Sequence, residues 1–112
     1  MAITQILYEN QSKVIKFLGK HDWLQKLDSQ IIVQINKYFK NENLKVLLKI
    51  ETTCSDDLGY RKGIEVLSYT IYTDYPLKEA IRQFNKLLEE WWLEASSPYE
   101  YYIKINTPQK YF

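Results

Sequence analysis

Cysteine and histidine occur once each in this chain of 112 residues, at Cys54 and His21, and glycine only three times, at positions 19, 59 and 63. A lone cysteine excludes an internal disulfide and fits a reducing compartment. Zinc needs several Cys or His side chains at ligand spacing, so no metal site of that kind is expected. His21 stands between Lys20 and Asp22. As a catalytic base it needs a nucleophile to activate, and nothing local brings Cys54 to it, so it reads as a solvated or capping residue. Scattered glycines leave no phosphate-cradling loop. No apolar run approaches the roughly 20 residues of a membrane span. The first residues, MAITQILYENQSKVIKF, lack a charged start followed by an apolar block, so no secretory leader is expected. Without secretion, the sequon Asn10-Gln11-Ser12 carries no meaning. Charge of one sign is also missing: 15 Lys and Arg against 14 Asp and Glu leave a net charge of +1. Neither a basic nucleic-acid footprint nor an acidic tail follows from that balance.

Two further features reduce to ordinary structure. Ser55-Asp56-Asp57 is the most oxygen-rich spot, but no carboxylate follows at calcium-loop spacing, so it reads as a polar hairpin loop. Arg61-Lys62-Gly63 begins like an RNA-recognition strand, yet the following Ile64-Glu65-Val66-Leu67-Ser68 lacks the aromatics that stack bases. No cofactor is implied.

The clearest positive signal is a helix over 74–97. Projected at about 100° per residue, Leu77, Ala80, Ile81, Phe84, Leu87, Leu88, Trp91, Trp92 and Ala95 share one broad stripe, and the charged residues fill the other side. Thr73 or Asp74 supplies a cap and Pro76 suits the first turn. Leu77, Ile81, Phe84, Leu88 and Trp91 are the expected core. Trp92 falls on the shoulder of the stripe and Leu93 on its polar face.

Residues 2–19 predict another helix, with Ile3, Ile6, Leu7, Val14, Phe17 and Leu18 on one stripe, Asn10 inside it, Ile15 off it and Gly19 as its stop. Asp22 caps a third helix whose stripe is Leu24, Leu27, Ile31, Ile35, Tyr38 and Phe39, with Asp28 anomalously inside it. A break at Asp28-Ser29 and a strand over Ile31–Val33 remain open. Alternation predicts strands at 44–53, 64–75 and 99–106. In the first, Leu44, Val46, Leu48 and Ile50 face the core. In the second, Leu67, Tyr69 and Ile71 oppose Val66, Ser68, Thr70 and Tyr72. Thr107-Pro108 ends the third.

The expectation is one α+β domain spanning 1–112, in the order α-α-β-β-α-β. It has a small, mainly antiparallel three-stranded sheet with helices packed on one face. The last strand returns in parallel beside the first or the second. Ten Tyr, three Trp and four Phe are the compositional oddity. Large aromatics bring contact area at small entropy cost. With Leu93 they mark Trp92, Leu93, Tyr99 and Tyr102 as candidate binding residues. The reading is a non-catalytic cytoplasmic protein acting through protein contacts, as a homodimer, with no membrane association. Abundant Lys, Ile, Asn and Tyr suggest a low-GC prokaryotic or phage source. The alternatives are an accessory protein binding single-stranded nucleic acid on the open sheet face beside Lys45, Lys49 and Lys104, and an enzyme using the 54–57 loop.

Overall fold

The computed structural model describes residues 3–39, 43–53, 64–99 and 102–110. Within them the order is β1 (Ile3–Tyr8), α1 (Gln11–Lys20), α2 (Trp23–Tyr38), β2 (Asn43–Thr53), β3 (Ile64–Thr73), α3 (Leu77–Leu87) and β4 (Ile103–Lys110). The α+β class stands. The three-stranded, mainly antiparallel sheet does not: four strands lie in the order β1-β2-β3-β4, and only the central pair is antiparallel. β1 pairs β2 in parallel, and β3 pairs β4 in parallel. A parallel pair needs a long crossover. Here α1 and α2 carry one, and α3 with its continuation carries the other.

The additional strand is the start of what reads as one helix over 2–19. Ile3, Ile6 and Leu7 have helical spacing, but six residues are too few for that spacing to decide. In the strand, Ile6 sits beside Val46 and packs on the core, while Leu7 beside Leu47 faces the opposite side. Asn10 then breaks strand from helix. It adopts a left-handed φ of 60°, and its side-chain oxygen accepts from the Lys13 N–H. Asparagine tolerates that conformation and is a favoured N-cap. The helix passes Gly19 and ends at Lys20, where the His21 N–H donates to the Phe17 carbonyl. α2 runs unbroken through Asp28-Ser29.

Register places Leu44, Val46, Leu48, Leu67, Tyr69, Ile71 and Ile103 on one face of the sheet, where all three helices cover them in a single core. At its bottom edge Pro108 sits inside β4 rather than ending it. Thr70 and Tyr72 lie two positions apart in β3, whereas their partners Asn106 and Gln109 lie three apart in β4. That one-residue bulge on an edge strand is where a residue lacking an N–H is tolerated.

α3 does not continue as a regular helix. A π-turn, Leu88–Trp92, follows it, then a last α-turn, Leu93–Ser96, and a 3₁₀ turn, Ser97–Tyr99. The Leu93 N–H reaches back five residues to the Leu88 carbonyl. One extra residue per turn shifts every later side chain. The buried positions are Ala80, Phe84, Leu87, Trp92 and Ser96, so Trp92 turns into the core and Trp91 is only half-buried. Phase at the other end is also displaced from the expected stripe: Leu77 is 54% and Ile81 38% exposed. Of the five expected core residues of this helix, Phe84 is fully inside. No described helix is long and apolar enough to cross a membrane.

Candidate binding surface at the head of the sheet

Burial of Val14 and Phe17 fixes the orientation of α1. Lys13, Lys16 and Lys20, spaced three and four residues apart, then share an exposed side. The helix delivers its last residue to a tight corner, where the Leu24 N–H donates to the His21 carbonyl at 2.8 Å and opens α2. Across from this corner the long helix ends at Tyr99. The Tyr102 N–H donates to the Tyr99 carbonyl at 2.8 Å, and the Leu67 N–H donates to the Tyr102 carbonyl at 2.8 Å, which pins this turn to β3.

Three separate segments thereby bring their rings together. His21 lies 4.7 Å from Phe17, 5.5 Å from Trp23 and 5.1 Å from Tyr102, between ring centroids. Trp23 stacks on Tyr99 at 5.2 Å and meets the Tyr102 ring edge-on at 5.0 Å. Offset-stacked and edge-to-face pairs of this kind each contribute roughly 0.5–1.5 kcal/mol beyond area burial. Yet the cluster stays open to solvent: Trp23 is 42% and Tyr102 36% exposed.

Two depressions flank it. One, of about 430 Å³, lies between α1 and the start of β3, walled by the three lysines, with Phe17, His21, Tyr102 and Glu65 completing it. The other runs down the groove between α2 and the end of the long helix. It passes from Trp23 and Tyr99 through Gln30 to Val33 and Trp91, in two adjoining hollows of about 280 and 320 Å³.

Of the residues singled out in the sequence, Tyr99 and Tyr102 meet here. Trp92 does not: at 7% exposed it belongs to the core. Leu93 is 62% exposed, but it is not among the residues that line the groove. Trp23, His21 and the α1 lysines complete the surface and were not among the candidates. Trp23 had a signal equal to that of Leu93, since it stands off the 24–27–31–35 stripe. The residues of the 54–57 loop, Arg61 to Gly63, Tyr101, Tyr111 and Phe112 lie outside the described residues.

The sheet face away from the helices, where Ser68 and Thr70 are buried, is chemically different. Lys104 lies 2.6 Å from Glu51 Oε2, and Lys49 lies 3.5 Å from Glu51 Oε1 and 3.9 Å from Glu9. Lys104 foremost holds the Glu51 carboxyl below its ordinary range. Lys49 and Lys104, both expected to belong to a basic groove there, are thus already engaged with carboxylates. Beside them the Asn106 amide donates to Thr70 Oγ1 at 2.9 Å and to Ser68 Oγ at 3.4 Å.

Under the helices, Tyr69 donates to Asp28. Burial pushes the tyrosine far above its ordinary range. It also raises Asp28, against a smaller downward pull from the tyrosine hydrogen bond. Neither residue lines the depressions above. Among the described residues no group of three or more His, Cys, Asp or Glu is placed to hold a metal ion. Compared with family models, curated proteins and solved structures, the chain matches none of them.

Proposed function

We propose that this is a non-catalytic binding protein that works through contacts with other protein surfaces, a second copy of itself among them. One observation carries the reading: the half-exposed Trp23–Tyr99–Tyr102 cluster, continued by the Val33–Trp91 groove. Rings held by one another, with Tyr99 also packed against the core, keep their position without a ligand, so little side-chain entropy is lost on contact. Such anchors, flanked by polar residues such as Lys26, Gln30 and Gln34, have the make-up of an interface centre with a polar rim.

Light scattering between low and high micromolar concentration tests the self-association half. A mass that rises with concentration, and falls back in Trp23→Ala or Val33→Glu, supports it. A monomer at every concentration removes it. Crosslinking in a lysate of the source organism tests the wider reading, which fails if Trp23→Ala leaves every crosslinked product unchanged. Leu93→Lys serves as the comparison, because Leu93 lies off the groove.

A further inference from the structure

The depression beside α1 differs in kind from the groove between the helices. Three ammonium groups line it, from Lys13, Lys16 and Lys20, and Glu65 is the one carboxylate among its lining residues. Among the described residues none of these lysines forms an ion pair, whereas Lys49, Lys104 and Arg82 do. Like charges at this helical spacing are mildly unfavourable for an isolated helix. Here they converge on a concavity that also has an aromatic wall, made by Phe17, His21 and half-exposed Tyr102. Its volume of about 430 Å³ lies within the range of small-molecule pockets.

We infer that this cleft binds a nucleoside phosphate, free or within a single strand, with the phosphate on Lys13, Lys16 and Lys20 and the base against Tyr102. Lysine acts on phosphate as a point charge, and every base has a π-face that a tyrosine ring can stack on. An acidic peptide would use the lysines but leave the aromatic wall unused. The site is separate from the sheet face away from the helices, where Lys49 and Lys104 are already paired. It shares Tyr102 with the protein-contact reading but rests on the α1 lysines, which that reading does not use, so it can fail while Trp23-dependent association holds, or hold while that fails.

Titration followed by tryptophan fluorescence tests it, because Trp23 lies 5.0 Å from the Tyr102 ring. The probes are AMP, an eight-residue oligothymidylate and an eight-residue polyglutamate, at low salt. Binding of both AMP and the oligonucleotide identifies a free nucleotide as sufficient, and binding of the oligonucleotide alone identifies a strand as the ligand. In the second case the three lysines spread along the strand at one phosphate each, and three neutralised phosphates predict a log–log salt slope near −2, or roughly a fifteen-fold loss between 50 and 200 mM salt. Tyr102→Leu weakens binding by about ten-fold, while Tyr102→Phe keeps it. Lys13→Gln, Lys16→Gln and Lys20→Gln together abolish it. The inference is overturned if neither nucleotide probe binds, if polyglutamate binds as tightly, or if the triple variant binds like the parent. Should that variant fail to fold by circular dichroism, the single Lys16→Glu change decides, and undiminished binding in it overturns the site.

Discussion

The hydroxyl of Tyr69, in the middle of the third strand, donates its hydrogen to the carboxyl of Asp28 on the second helix, across 41 residues of sequence. It ties the sheet to α2 at a point where every neighbouring side chain on the stripe is aliphatic. It also explains why an acid stands on the apolar side of that helix. Tyr69 is fully buried, and its ring fills space that no smaller side chain at that register would fill.

Tyr69→Phe keeps the ring and removes the donor. Hydrogen bonds to charged groups contribute about 1.5–3 kcal/mol, and the largely buried Asp28 then lacks that partner. A loss in this range is expected in urea unfolding, with an unchanged m-value. A change below 0.5 kcal/mol contradicts the role given to the pair.

Two carboxylates give stability opposite dependences on pH. Burial raises Asp28 above its unfolded value. Its contribution is therefore complete below the ordinary aspartate range, about 3.9, and is lost as pH rises through the raised value. Lys104 foremost lowers Glu51. Its contribution is present above the ordinary glutamate range, about 4.3, and is lost as pH falls through the lowered value. Across a urea series from pH 3 to 7, the parent gains on Asp28→Asn as pH falls. On the acid limb it loses relative to Glu51→Gln. Parallel curves for parent and variant contradict the corresponding assignment.

The π-turn reverses the ranking of the two adjacent tryptophans. Trp92→Ala is expected to cost about 3–5 kcal/mol, the range for a buried large aromatic, and Trp91→Ala clearly less. A regular helix predicts the reverse order. Deleting Glu89 converts the five-residue step from Leu87 to Trp92 into an α-helical step of four. That variant keeps its fold and its denaturation midpoint if Trp92 is what sets the phase.

Leu77→Lys provides a complementary measurement. Leu77 lies on the expected stripe but is more than half exposed, so the substitution changes stability by no more than about 0.5 kcal/mol. A loss of 2 kcal/mol restores it to the core.

Legibility in the sequence followed the length of each pattern. α2 spans four turns and β2 eleven residues, enough for helical spacing or alternation to identify each. β1 is six residues long, and Ile3, Ile6 and Leu7 satisfy a helical template as well as a strand. Its clearest marker was Asn10, which looked like a polar defect in a helix and is the cap that starts one. The aromatic surface was half legible. Tyr99 and Tyr102 stood out by composition, but their partner Trp23 lies some 76 positions earlier, and no local pattern links them.

The sequence by itself determined the class of the fold, the apolar faces of α1, α2, β2 and β3, and that a single cysteine forms no disulfide within the chain, because these depend on local periodicity and residue counts. Only the tertiary structure decided the parallel pairing of the outer strands, the π-turn that exchanges Trp91 for Trp92, and the meeting of Trp23, Tyr99 and Tyr102 beside three lysines. Each of these depends on which distant segments fill the same space. A helix gives up one regular turn when that places its largest ring in the core, and such a trade leaves no trace in the spacing of its own residues.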